Sequence, residues 1–190
     1  MGTTALLVMD IQNGIVARVP TAADALLARL VEATRAARAT GVSVVHVRVA
    51  FRSDGADISS RNRAFSAIAA AASMGLDDPV TQIHPAVRPR AGDVVVVKKR
   101  VSAFTGSDLE VVLRSLDVTS LVLTGIATSG VVLSTLRQAA DLDYELTVLE
   151  DGCADSDPEV HRVLMEKVFP RQASVVTTHE WVGGRSETRT

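Results

Sequence analysis

The fold prediction starts from Leu121–Leu136, LVLTGIATSGVVLSTL, where a short aliphatic run leads through small residues into a helical pattern. Gly125 and Gly130 bracket the bend, and Thr128 and Ser129 lie at its sharpest part. A turn from strand to helix presents backbone N–H groups at the helix N-terminus, where they stabilise an anion or a developing oxyanion. Hydrolases often hold a nucleophile on such a turn. We therefore expect this turn to form part of a functional site.

Aliphatic strands alternate with helical patterns along the rest of the chain. We predict strands over Ala5–Met9, Val42–Val49, Val94–Val97, Leu121–Thr124, Glu145–Leu149 and Ala173–Thr177. Helices are predicted over Thr21–Thr40, Ala64–Met74, Val131–Ala140 and from Pro158 to about Val168, with a further helix ending at Leu116. This alternation predicts an α/β fold with a doubly wound, mainly parallel six-stranded sheet and helices on both faces. We expect a single domain over residues 1–182 and a mobile tail over residues 183–190.

The composition favours a protein that acts on a small molecule. Twenty Lys and Arg residues against 22 Asp and Glu give a formal net charge of −2, without the basic excess of nucleic-acid-binding proteins. The opening residues, MGTTALLVMDIQNG, lack the charged n-region of a signal peptide. No apolar run approaches the ~20 residues that cross a bilayer. We expect a cytoplasmic protein with neither a nucleic-acid nor a membrane partner.

Cysteine and histidine usage gives no sign of a metal site. Cys153 is the only cysteine, so neither an intrachain disulfide nor a cysteine-based metal cluster is expected. His84, His161 and His179 are scattered, and the residues after His46 lack the spacing of a zinc site. We therefore predict no metal and no cofactor.

Charged residues at predicted strand ends are the first candidates for chemistry. Asp10 follows the first strand and Lys98 follows the third. The carboxyl ends of parallel strands share one edge of the sheet, so the two side chains can converge on one crevice. An Asp beside a Lys can shuttle a proton to or from a substrate. It can equally form an ordinary ion pair between neighbouring strand ends, and the residues alone leave both interpretations open.

Three segments together resemble the signature segments of the isochorismatase-like hydrolases, part of the cysteine hydrolase superfamily. They are Leu6–Asn13 (LLVMDIQN), Lys98–Phe104 (KKRVSAF) and Gly125–Thr128 (GIAT). The resemblance covers about residues 5–176 and implies a Rossmann-like fold, a small-molecule substrate and a homo-oligomer, a dimer or larger. Most members of this family hydrolyse amide-type bonds with an Asp, a Lys and a Cys.

Carried over by position, the resemblance makes Asp10 the catalytic acid/base and Lys98 the catalytic lysine. The family pattern G-x-x-T-x-x-C, counted from Gly125, brings the nucleophile position to Val131. Valine has no lone pair with which to attack a carbonyl, so the cysteinyl intermediate cannot form there. We expect Cys153 to be an inert thiol, since acids surround it in the sequence. The resemblance assigns the oxyanion-binding turn to Thr128, Ser129, Gly130 and Val131.

Four polar residues are candidates for substrate binding. Gln12 follows the acid as it does in many members of the family, and Arg48 and Arg100 are cations at strand ends. Asn62 lies in the irregular segment 51–81, a type of segment that often forms a lid or a subunit contact. These residues would favour an anionic ligand.

The expected function is that of an isochorismatase-like hydrolase without the catalytic cysteine. Its substrate would be a small, anionic metabolite of the vinyl ether, amide or lactam type. Asp10 and Lys98 would supply acid–base chemistry, and water would attack directly without a cysteinyl intermediate. Two alternatives remain: a catalytically silent homologue that binds a small molecule, and a hydrolase that uses Ser129 as its nucleophile. Isochorismate is not the expected substrate, because Ala127–Ser129 replaces the aromatic-Ala-His sequence of true isochorismatases.

Overall fold

One parallel sheet organises the chain, in a computed structural model that describes residues 3–71 and 74–187. The strands are β1 (Thr3–Met9), β2 (Ser43–Val49), β3 (Val94–Lys98), β4 (Val118–Ile126), β5 (Glu145–Ala154) and β6 (Ser174–Val176). They lie in the order β3-β2-β1-β4-β5-β6, and every neighbouring pair is parallel. The chain winds outward in both directions from β1 and β4, which confirms the predicted doubly wound α/β fold. Ligands bind such sheets at the carboxyl ends of the two central strands.

Helices cover both faces of this sheet. They are α1 (Asn13–Val16), α2 (Ala23–Ala39), α3 (Arg63–Ala71), α4 (Leu109–Ser115), α5 (Leu133–Asp141), α6 (Pro158–Val163) and α7 (Thr178–Glu187). Two π-helical turns, Thr128–Val132 and Leu164–Val168, precede α5 and follow α6. Short 3₁₀ turns occupy Pro79–Thr81, Pro85–Val87 and Phe169–Arg171. None of the helices within the described ranges is long and apolar enough to cross a membrane.

The alternation of side chains along β1 explains the two hydrophobic cores. Ala5, Leu7 and Met9 point into the core that also holds residues of α4 and α5. Leu6 and Val8 point into the opposite core, against α2 and α7. All five side chains are at most 1% exposed, so β1 is apolar on both faces, as a central parallel strand must be.

Helix α7 was not predicted from the sequence. Thr177 and Glu180 form a reciprocal capping box: the Glu180 carboxylate accepts from the Thr177 N–H at 2.7 Å, and the Thr177 hydroxyl accepts from the Glu180 N–H at 3.2 Å. Trp181, only 9% exposed, then packs into the core beside α2. Residues 183–187 of the expected tail are therefore helical, and residues 188–190 lie outside the described part of the chain.

Gly125 is required where β4 passes the end of β1. Its φ of 149° lies in a region that L side chains rarely adopt. A Cβ atom at this position would lie 2.4 Å from the carbonyl oxygen of Met9. Two backbones thus approach closely at the centre of the sheet, next to the end of β1 that carries Asp10.

Replacement of Gly125 by Ala should destabilise the fold by about 2–4 kcal/mol, since backbone must move and a strained φ must be kept. Gly183→Ala is the matched control, because nothing lies within 4 Å of a Cβ there. In the helical setting of α7, that control should raise stability by about 0.5–1 kcal/mol. Urea unfolding followed by circular dichroism measures both changes. Equal stabilities of the two variants would contradict the close approach described for Gly125.

Candidate active site

A buried ion pair occupies the carboxyl edge of the sheet. Lys98, the last residue of β3, reaches across β2 so that its Nζ lies 2.9 Å from Oδ2 of Asp10. The two side chains are 2% and 7% exposed. Asp10 follows β1 directly, adopts a left-handed φ of 57°, and donates its N–H to the Val47 carbonyl at 2.8 Å. The structure therefore brings together the two residues that the sequence selected from separate strand ends.

The hydrogen bonds around the pair give its members different roles. Lys98 Nζ also donates to the carbonyl oxygens of Arg100 and Val101, both at 3.0 Å, so three acceptors surround the ammonium group. Oδ1 of Asp10 is buried and has no hydrogen-bond partner among the described residues. Burial raises the pKa of the Asp10 carboxyl above its ordinary value, although the Lys98 cation opposes this shift. One carboxylate oxygen of Asp10 is thus paired with the Lys98 ammonium group, and the other has no hydrogen-bond partner among the described residues.

A cavity of about 290 Å³ opens beside this pair, and we call it the Asp10 cavity. Asp10 and Lys98 both line it, and the remaining walls are mostly apolar. The apolar lining includes Ile15, Val19, Val49, Phe65, Met74 and Val131. Phe65 belongs to α3, so the irregular segment predicted as a possible lid supplies one wall of the cavity. Its volume suits a small metabolite.

The turn after β4 forms another wall of the Asp10 cavity. Ala127, Gly130 and Val131 line the cavity, and the Ile126–Ala127 peptide bond is cis. Of the backbone donors expected here, the Ser129 N–H donates to Asp155 at 2.8 Å and the Gly130 N–H donates to the Ala127 carbonyl at 3.0 Å. These two N–H groups are therefore engaged within the protein.

The hydroxyl groups of the turn point to partners that were not predicted. Thr128 is fully buried, and its Oγ1 lies 2.8 Å from Nδ1 of His161, which is far away in sequence. Ser129 Oγ donates to Asp155 at 2.7 Å. Burial works against the ionised form of Asp155, but hydrogen bonds from the Ser129 backbone and hydroxyl hold its pKa below the ordinary value. For His161, burial disfavours the charged imidazolium and so lowers the pKa of the side chain. Neither Thr128 nor Ser129 is among the residues that line the Asp10 cavity in the described structure.

The side chain of Gln12 forms hydrogen bonds with protein backbone. Its Nε2 donates to the carbonyl oxygens of Val49 and Thr81 at 2.9 and 2.7 Å, and its Oε1 accepts from the Val49 N–H at 2.8 Å. The side chain is fully buried. It joins the end of β1 to the end of β2 and to the 3₁₀ turn at Pro79–Thr81. Both polar atoms of the Gln12 side chain are therefore engaged by protein backbone, in place of the expected contact with a substrate.

The other three expected binding residues also lie outside the Asp10 cavity as described. Arg48 donates to backbone carbonyls that include Leu76 O at 3.1 Å, and Arg100 donates to Asp57 O at 3.0 Å. Asn62 Oδ1 accepts from the Phe65 N–H at 3.2 Å, at the start of α3. Each side chain binds protein backbone, a contact that a sequence pattern cannot distinguish from substrate binding.

Arg18 is a lining residue that the sequence did not suggest. It is exposed, follows α1, and lines the Asp10 cavity together with Lys98. No motif surrounds this arginine, so only the fold reveals its position. Cys153, by contrast, is buried, and burial raises the pKa of its thiol to about 12. Among the described residues, no three His, Cys, Asp or Glu side chains cluster closely enough to hold a metal ion.

The comparison with protein families identifies the family to which the chain belongs. A family model described as the isochorismatase domain matches residues 4–180 of the chain. The chain belongs to the isochorismatase family. It is therefore a hydrolase of that family, as the three signature segments indicated.

Relatives of this isochorismatase-family chain extend over nearly its whole length. The isochorismatase family protein YecD of Escherichia coli O157:H7 is 33% identical over 180 residues, which cover 94% of each chain. The ureidoacrylate amidohydrolase RutB of Stutzerimonas stutzeri is 31% identical over 204 residues, covering 95% of this chain and 77% of that relative. A solved isochorismatase family protein from Burkholderia thailandensis superposes with a TM-score of 0.85 at 31% identity, covering 97% and 96% of the two chains.

Removal of Lys98 should expose the electrostatic cost of the buried Asp10 carboxylate. We expect Lys98→Met to lower the free energy of unfolding by about 3 kcal/mol at pH 7, because one charge remains buried without its partner. With the cation gone, the folded-state pKa of Asp10 should rise further. The loss relative to wild type should therefore grow as pH rises from acidic to neutral, where the carboxyl must ionise.

The double variant Asp10→Asn with Lys98→Met is the matched control for this prediction, because it removes both charges. It should be more stable at pH 7 than Lys98→Met alone. Urea titrations of the three proteins at pH 5 and pH 7 give the comparison. A loss in Lys98→Met that is independent of pH and unchanged in the double variant would rule out the charge-pair explanation.

Proposed function

We propose that this protein hydrolyses a small metabolite by acid–base chemistry at Asp10, with direct attack by water and no cysteinyl intermediate. The observation that carries the proposal is the Asp10–Lys98 pair, 2.9 Å apart and buried beside the apolar Asp10 cavity. Val131 lines the same cavity at the position that the family resemblance assigns to the nucleophile. The acid/base and the cation are thus present, and Cys153, the only cysteine, is not among the described residues that line this cavity.

For an amide bond, Asp10 would act first as a base and then as an acid. Asp10 accepts a proton from water while the water oxygen bonds to the carbonyl carbon. The oxyanion of the tetrahedral intermediate is stabilised by the positive charge of Lys98. Asp10 then returns the proton to the leaving nitrogen as the C–N bond breaks, which gives a carboxylic acid and an amine. Burial raises the pKa of Asp10, which makes its carboxylate a stronger base than that of an ordinary aspartate.

For a vinyl ether, the same carboxyl would act first as an acid. Asp10 protonates the terminal alkene carbon, and water then adds to the resulting oxocarbenium carbon. Asp10 takes back one proton as the water adds, and the hemiketal then collapses to a ketone and an alcohol as its hydroxyl proton passes to the leaving oxygen. The amide reaction starts from an ionised Asp10, and the vinyl ether reaction starts from a protonated Asp10. Neither reaction needs a nucleophilic side chain.

The remaining candidate nucleophiles fit the geometry less well. Cys153 is buried, and its thiol pKa of about 12 leaves very little thiolate at neutral pH. Ser129 donates its hydroxyl to Asp155, whose lowered pKa makes it a weak base, and Ser129 does not line the Asp10 cavity as described. These contacts favour water as the attacking group.

Amide-type compounds are the first substrates to test. RutB of Stutzerimonas stutzeri, which is 31% identical, is named as a ureidoacrylate amidohydrolase. Linear ureides and N-carbamoyl compounds therefore come before lactams and vinyl ethers in the screen. Homo-oligomeric assembly and a cytoplasmic location remain predictions from the sequence.

Asp10→Asn should abolish turnover, with a loss of about 10²-fold or more in kcat, because an amide can neither accept nor return the proton. Cys153→Ala should leave kcat within about twofold of wild type, since the thiol takes no part. Product formation by liquid chromatography and mass spectrometry measures both. An inactive but folded Cys153→Ala variant would overturn the mechanism, and saturable binding without product across the panel would favour a silent binding protein.

Val131→Cys tests whether this position faces the cavity of the reacting groups. A thiol introduced there should be alkylated by iodoacetamide at least about tenfold faster than Cys153, because Val131, although only 2% exposed, lines the Asp10 cavity with Lys98 and Cys153 does not. Wild-type protein, whose only thiol is Cys153, is the control. Peptide mass spectrometry after timed alkylation gives the two rates. Equal rates would show that residue 131 does not occupy the nucleophile position.

A further inference from the structure

Arg18 is held in place at the edge of the Asp10 cavity. It lies in the turn after α1, between Val16 and Val19, which are 6% and 4% exposed. Its N–H donates to the Ile15 carbonyl at 3.0 Å, and the Val19 N–H donates to the Val16 carbonyl at 3.1 Å. The backbone of Arg18 is therefore anchored on both sides, while the residue remains exposed and lines the cavity.

The charge of Arg18 is not neutralised within the described part of the chain, where it forms no hydrogen bond or ion pair through its guanidinium group. Other arginines of the protein do have carboxylate partners; they include Arg29, Arg38, Arg114 and Arg162. Asp155 is a carboxylate that shares a smaller neighbouring cavity with Arg18. Its Oδ2 is committed to Ser129, through the backbone N–H at 2.8 Å and the hydroxyl at 2.7 Å. The guanidinium group is thus available to a ligand.

The charge balance of the cavity then determines the ligand that it favours. Asp10 and Lys98 pair with each other and contribute no net charge when both are ionised. Arg18 therefore leaves the site with a net positive charge beside apolar walls. A guanidinium group matches a carboxylate with two parallel hydrogen bonds, which makes such a pair directional as well as strong.

We propose that Arg18 binds a carboxylate group of the substrate while the hydrolysable group lies at Asp10. The substrate class is then a small monocarboxylate that carries its amide, ureido or vinyl ether group at the other end. This inference rests on the proposed function, because it uses the Asp10 cavity as the substrate site. Arg18 acts as a specificity-determining residue and takes no part in proton transfer.

The test uses matched pairs of probes that differ only in the carboxylate. The probes are N-carbamoylglycine, N-carbamoyl-β-alanine and N-carbamoyl-4-aminobutyrate, each compared with its carboxamide, so that three separations between the two ends are sampled. Isothermal titration calorimetry gives Kd for wild type, Arg18→Gln, Arg18→Lys and Arg35→Gln. Arg35 is the matched control, since it is an exposed arginine on α2 that does not line the Asp10 cavity.

Wild type should bind at least one carboxylate about tenfold or more tightly than its carboxamide, as expected for a hydrogen-bonded charge pair. Arg18→Gln should lose this preference, Arg18→Lys should retain part of it, and Arg35→Gln should keep it. A preference that survives in Arg18→Gln, or the absence of any preference in wild type, would overturn the inference.

Turnover of the same probes separates this inference from the proposed function. Product formation in which Arg18→Gln keeps the wild-type preference for carboxylate over carboxamide would overturn the role of Arg18 alone. A carboxylate preference that depends on Arg18, without product from any probe or from the wider panel, would support the binding role and overturn the proposed hydrolysis.

Discussion

The ion pair between Lys98 and Asp10 is the interaction on which the site depends. Its two members come from β3 and β1, and β2 lies between those strands. The pair is only possible because Lys98 extends across the end of β2 and meets three acceptors there. Burying two charges is costly, and good geometry with further hydrogen bonds is what offsets that cost. The edge of the sheet is therefore built around one ammonium group.

The turn after β4 is likewise held in place by side-chain contacts. Thr128 and Ser129 bind His161 and Asp155, which come from the region around the start of α6. The hydroxyl groups that looked like candidate nucleophiles instead hold the turn from outside the cavity. Gly130 and Val131 of the same turn line the cavity. Contacts made by residues that do not line the cavity therefore hold the turn that forms one of its walls.

The sequence predicted the sheet because each strand is a local aliphatic run, and it predicted Asp10 and Lys98 because each directly follows such a run. It could not place Gln12 or Arg48, since their partners are backbone carbonyls that come close only after folding. Helix α7 did carry a local signal, the spacing of Thr177 and Glu180, which the apolar pattern alone did not reveal. Arg18 carried none, because its role depends on where α1 packs.

The state of the single thiol has a consequence for chemical durability. Cys153 is buried, and the high pKa of its thiol keeps it protonated, whereas oxidants such as hydrogen peroxide attack the thiolate. An enzyme with an accessible catalytic thiolate stops working once that sulfur becomes a sulfenic acid. A site built from Asp10 and Lys98 contains no atom that undergoes this oxidation. Under the proposed mechanism, hydrolysis in this protein therefore continues under oxidative conditions that inactivate thiol-dependent hydrolases.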